Sequence, residues 1–230
     1  MRGRRNRGAI RGSNPQRAIR KIRKGIPQKT LDNTVRNSTV RTMKGGKGIS
    51  RLGYALLGLL QQQPSSGYEL RKIFAATSMK TCSDSPGAIY PALERLERQG
   101  LVRGTVEDGT GLRRRRMFRL TPKGLSELRA WIVRPVTQEE LVWNQQDTLL
   151  RFAFSEQAAG RAAACALLKS LEAALKAYLP LLREELRSLP STTPASGRLA
   201  FQYGIRGYEC LRQWAHDAIA IYQKKGKGVL

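Results

Sequence analysis

The chain has 230 residues, 42 Lys and Arg against 17 Asp and Glu, and a formal net charge of +25. With 40 % hydrophobic residues it can bury a real core, which excludes wholesale disorder, and its length suits one large domain or two small ones. It has no run of about 18 apolar residues to span a bilayer and no apolar secretory signal at its start, while so positive a charge points to nucleic acid, an anionic membrane surface or an acidic protein as partner.

Charge falls along the chain and suggests three parts. Residues 1–47 carry a net +14, residues 48–134 a net +8 and residues 135–230 a net +3. The first part is poor in aromatic and bulky apolar residues and is expected to be a disordered basic tail. Three readings fit it: a nucleic-acid-binding arm, an Arg-rich targeting peptide, or a start assigned upstream of the native one, because Met43 opens MKGGKGIS just before the first periodic segment.

Ser50 is placed to cap a helix over 51–63, with Leu52, Ala55, Leu56, Leu59 and Leu60 as its apolar stripe and Pro64 as its stop. A second helix over 66–76 would turn Tyr68, Leu70, Ile73 and Phe74 inward and leave Arg71 and Lys72 outside. After a polar loop, a third helix over 87–98 buries Ile89, Leu93 and Leu96. Its Pro91 falls in the first turn, where a missing N–H matters little, and Gly100 ends it in the left-handed way. LVRGTVED (101–108) and RRRRMFRL (113–120) flank a Gly-containing loop and read as a β-hairpin. Thr121 and Pro122 then open a fourth helix to about Val133, with Leu125, Leu128 and Ile132 on its stripe.

Three helices, a hairpin and a helix make a winged helix-turn-helix over 48–134, so the fold class is mainly α with a two-stranded wing. The third helix would enter the DNA major groove, with Ser85, Gly87, Ala88 and Tyr90 near its N-terminus as candidate readers. Arg95 and Arg98 further along can reach phosphate or pair with Glu94 and Glu97. On the wing, Arg113, Arg114, Arg115 and Arg116, with Arg119, form a cationic row. Only Glu107 and Asp108 are near them in sequence, so the row is assigned to phosphate or minor-groove contact rather than to a salt-paired surface.

Residues 135–230 read as an all-α dimerisation domain. From Glu156 to Leu189 the chain is nearly all helix formers. Leu168, Leu171, Leu175, Tyr178, Leu182 and Leu189 keep a spacing of three and four, close to a heptad seam that Glu185 spoils at one position, with Pro180 expected to kink the helix. LLRFAF at 149–154 is apolar almost all round, so Leu149, Leu150, Phe152 and Phe154 are expected between chains. A last helix over 197–224 offers Tyr208, Leu211, Ala215, Ile219 and Tyr222. Each stripe can equally serve a core within one chain; the subunit interface is the reading preferred here.

Catalysis finds no support. His216 is the one histidine, too few for a typical zinc site, and the Gly-rich stretches at 45–48 and 109–111 lack phosphate-loop spacing. Cys82, Cys165 and Cys210 lack zinc or disulfide spacing and read as buried small hydrophobes in a reducing cytoplasm. The alternative to a sequence-specific regulator is a charge-driven protein that coats nucleic acid or binds RNA.

YALLGLLQQQPSSGYELRKIF (54–74), GAIYPALERLERQGLV (87–102) and RRRRMFRLTPKGLSELRAW (113–131) resemble the PadR family of bacterial transcriptional regulators, and DTLLRFAFS (147–155) resembles the start of its C-terminal helical region. The resemblance covers about residues 50–225. It implies a homodimeric, cytoplasmic repressor on a pseudo-palindromic double-stranded operator, released in many members by a small, often aromatic molecule, with no metal or resident cofactor. Trp131, Trp143 and Trp214 are rings on which such an effector could stack, although each reads first as a core tryptophan. Two features depart from the family pattern. Met117 stands where an aromatic is usual, and the first 42 residues have no counterpart.

Overall fold

The computed structural model describes residues 48–77, 86–108 and 114–224. The basic tail 1–47, the candidate reader Ser85, the wing's Arg113 and Cys82 lie outside the described residues.

Helix α1, Arg51–Gln62, starts where the Ser50 hydroxyl accepts the Gly53 N–H at 3.2 Å. It is buried on most of its circumference, Leu57 and Gly58 included, because elements pack on it from several sides. A methyl at Gly58 would overlap the Phe154 ring. Ser65–Ser66 form a short strand β1, and Ser66 then caps α2, Gly67–Ala76. The cap is reciprocal: Ser66 Oγ accepts the Glu69 N–H while Glu69 Oε2 accepts the Ser66 N–H at 2.8 Å. That backbone N–H, and then the Ser66 hydroxyl, hold the Glu69 carboxyl below its ordinary range. The cap also fixes the rotation of α2. Leu70 and Phe74 go inward, but Tyr68, expected inside, is 54 % exposed and carries the Arg71 and Lys72 cations over its ring at 5.6 and 5.4 Å.

A 3-10 turn, Pro86–Ala88, leads into α3, Ile89–Arg98, which places Pro91 in the first helical turn. Gly100, at φ +71, ends the helix. Strands β2, Val102–Asp108, and β3, Arg114–Leu120, pair antiparallel from Val102 with Leu120 to Asp108 with Arg114. The wing has a third strand, because β1 joins β3 on its other side, Ser65 opposite Phe118. Helix α4, Pro122–Val133, is capped by Thr121.

The helical half comprises α5 Gln138–Trp143, α6 Gln145–Ala159, α7 Arg161–Ser188 and α8 Ala195–Gln223. The stretch read as continuous helix former from Glu156 is interrupted at Gly160, whose φ of +89 closes α6 and opens α7. Helix α7 then continues through Pro180. Cys165 is half-buried and Cys210 exposed, so Cys210 is not the buried hydrophobe expected.

The placement of the apolar stripes corrects the expected interface. Leu168, Leu171 and Leu175 are buried against Ala215 and Ile219 of α8, and Leu182 packs with Leu179 and Ile205. Leu150 and Phe154 are buried with Leu128, Trp131 and Ile132 in the winged-helix core, which therefore continues past residue 134. These six side chains have almost no surface left to give a second chain, because α8 and the winged helix already cover them. Phe152, Tyr178, Tyr208 and Leu211 are half-buried at the edges of the same cores. Leu149 stays open at 41 %.

Arg151, in the middle of the apolar LLRFAF run, is fully buried. Its Nη1 donates to both Glu140 oxygens at 2.8 and 2.9 Å, and its Nη2 to the carbonyls of Ile132, at 2.9 Å, and Arg134. One guanidinium thus ties the end of α4 to α5 and α6. Glu140→Ala should cost about 3–5 kcal/mol, because it strands a buried cation, and should appear as a lower urea midpoint at unchanged slope. Arg151→Met combined with Glu140→Leu should recover part of that stability. A Glu140→Ala midpoint equal to wild type would mean that water reaches the guanidinium.

Candidate nucleic-acid interface

Helix α3 buries Ile89, Ala92, Leu93 and Leu96, which leaves Gly87, Tyr90, Pro91, Glu94, Arg95 and Arg98 exposed. Ala88 is half-buried against the core, so it offers little to a base edge. Tyr90 is 47 % exposed. Its ring lies over Gly67 at the start of α2, where an added methyl would sit 2.5 Å from it. The close approach explains the glycine, and it places the Tyr90 ring against the start of α2. Among the described residues Arg95 and Arg98 have no ion-pair partner. Of the alternatives open to them, the pair with Glu97 is pre-empted.

What pre-empts it is a clasp between α3 and the wing. Glu97 Oε1 accepts the Gly104 N–H at 2.9 Å, and Oε2 accepts from Arg116 Nη2 at 2.7 Å. The Arg116 guanidinium also lies 5.4 Å over the Phe118 ring. Gly104 makes room for this, since a methyl there would stand 2.7 Å from both Arg116 Nε and Glu97 Oε1. Two further wing arginines have acidic neighbours: Arg119 donates to Glu107 at 2.9 Å, and Arg115 lies 4.0 Å from Glu69.

The expectation that only Glu107 and Asp108 stand near the arginine row is therefore corrected. The fold brings Glu69 from α2 and Glu97 from α3 to the same strand. Arg115, Arg116 and Arg119 are still half exposed, and such pairs contribute only about 0.2–1 kcal/mol each, so a phosphate can compete for them. Arg114 is exposed on the same strand. The surface presents cations along β3 and on the last turns of α3, with the two elements locked together by Glu97.

Sequence reasoning missed Glu97 and Gly104 as parts of the site. The available signal was the isolated glycine within a strand, which marks a close approach. Trp131 stacks on Tyr54 at 4.2 Å and is buried, whereas Trp143 is 67 % and Trp214 37 % exposed. No helix among the described residues is long and apolar enough to cross a membrane.

Residues 56–130 match the family model of the Transcriptional regulator PadR-like family. The matched segment runs from within α1 to within α4, which is the observed winged helix. The chain is 36 % identical over 85 residues to the Negative transcriptional regulator PadR of Bacillus subtilis (strain 168), covering 36 % of this chain. It spans 46 % of the length of that curated relative. Among solved structures it is similar to Bacillus subtilis PadR in complex with operator DNA, at 24 % identity over 75 % of this chain and 99 % of the other, with a TM-score of 0.36. A similar likeness, 21 % identity over 78 % and 99 % with a TM-score of 0.36, links it to the PadR-like transcriptional regulator BC1756 from Bacillus cereus.

Glu97→Ala should release the wing from α3. Amide exchange should accelerate along β2, most of all at Gly104, with stability lower by about 1 kcal/mol. Unchanged exchange at Gly104 would show that strand pairing alone holds the wing.

Proposed function

Because the chain carries, over residues 56–130, the domain of the PadR-like family of transcriptional regulators, we propose that it is a dimeric, sequence-specific repressor. Helix α3 enters the major groove of a pseudo-palindromic operator while the arginines of β3 follow the phosphates. The observation that carries this reading is the Glu97 clasp, which joins the outward face of α3 and the arginine strand. Repression is favoured by the described role of the relative from Bacillus subtilis.

A single module reads only a few base pairs. Two modules on a dimer read half-sites about 34–36 Å apart, or a multiple of that. With the buried leucines excluded, one surface that still offers apolar groups to a second copy lies at the start of α6. Leu149 and Phe152 are one turn apart on α6, Phe152 meets Trp214 edge-on at 5.4 Å, and the exposed Trp143 precedes the helix. A small aromatic effector is also part of this reading. Trp143 and Trp214 are the tryptophans with open ring surface, since Tyr54 covers Trp131.

Competition against random DNA tests the reading. The full chain should prefer its operator by roughly 10³ or more, whereas equal affinity for all sequences would favour the coating protein. Replacing Arg114, Arg115 and Arg119 with alanine should weaken binding to any DNA and flatten the salt dependence, by about 0.9 in log–log slope for each phosphate that is no longer neutralised. An unchanged slope would remove the wing from the interface. Leu149→Glu should yield a folded monomer in sedimentation, and persistence of the wild-type oligomer would move the dimer surface elsewhere.

A further inference from the structure

Among the described side chains beside the proposed DNA face, three acids have defined partners and one does not. Glu69 faces Arg115, Glu97 holds Arg116 and the Gly104 amide, and Glu107 holds Arg119. Glu94 is exposed and has no basic partner among the described residues. Arg98 stands four residues on, the spacing and direction that favour a helical Glu–Arg pair, yet that pair is not formed. Glu94 sits between Tyr90, one turn before it, and Glu97, three residues after it, on the exposed side of α3.

An unpaired carboxylate there is a liability in front of DNA, which carries one negative charge per about 1.7 Å of axis. The liability disappears only where the carboxylate meets a hydrogen-bond donor. In the major groove the donors are the exocyclic amines, N4 of cytosine and N6 of adenine. An ionised carboxylate is acceptor-only. The adenine amine adjoins the N7 acceptor, which a carboxylate cannot engage, so cytosine is the better match.

We infer that Glu94 is a specificity-determining residue that accepts a hydrogen bond from N4 of one cytosine in each half-site and repels duplexes lacking it there. The inference rests on the operator-binding reading above.

The experiment selects bound DNA from a pool of randomised half-sites with the full chain, Glu94→Gln and Glu94→Ala, and sequences what each retains. The wild type should require cytosine at one position per half-site. Glu94→Gln keeps the size but adds an amide donor that pairs with adenine N6 and N7, so the same position should switch towards adenine by about tenfold. Glu94→Ala should lose the preference at that position alone and bind random DNA more tightly. If all three proteins retain the same base at every position, Glu94 is not a reader and the inference fails, even should their affinities rise together. A wild type that selects no sequence would overturn the operator reading instead, and this inference with it.

Discussion

The buried pair of Arg151 and Glu140 is the interaction on which the arrangement of the two halves depends. A guanidinium with no exposed surface must find its acceptors within the protein, and both Nη groups of Arg151 do so in Glu140 of α5 and two carbonyls at the end of α4. Burial pushes the proton affinity of Arg151 down and the Glu140 carboxylate pushes it back up. Its Nε finds no acceptor among the described residues. Such a pair adds little net stability over an apolar replacement. What it does add is direction, since both Nη groups find acceptors where α5 and the end of α4 meet α6.

From that joint a series of rigid contacts leads to the exposed face of α3. Phe154 of α6 fills the space left by Gly58 of α1, and Arg51 of α1 pairs with Asp147 of α6. Arg129 of α4 donates to the Ala158 carbonyl at 2.6 Å, which fastens the far end of α6. At the opposite edge, Glu97 fixes the wing. The two polar fastenings share a design, in which one carboxylate holds one arginine and backbone groups complete the set. They differ in exposure. The inner one is dry and shapes the fold; the outer one is wet and can exchange partners with a phosphate.

Much of the winged helix is legible in the sequence because most of its elements are locally overdetermined. Ser50, Ser66 and Thr121 cap the helices they precede, Gly100 ends α3, and the stripe from Leu52 to Leu60 is buried as its spacing implies. What could not be read is non-local. Strand β1 is two serines with no β pattern, paired only because β3 passes beside them. The acids facing Arg115 and Arg116 come from residues 69 and 97, close in space and distant in sequence. Apolar periodicity on α7 says that a face is covered, not whether α8 or a second chain covers it. Arg151 is hidden for the opposite reason, since a cation within an apolar run looks like a surface residue until its partners are seen.

Helix α6 serves two masters, and this limits how the protein can be dissected. A cut after residue 134 would excise the winged helix without Leu150, Phe154 and Ala158, and so lay open the greasy seam beside Leu128, Trp131 and Ile132. The smallest graft that carries its own interior therefore extends to about Ala159, and the winged helix travels between proteins only with that buttress attached.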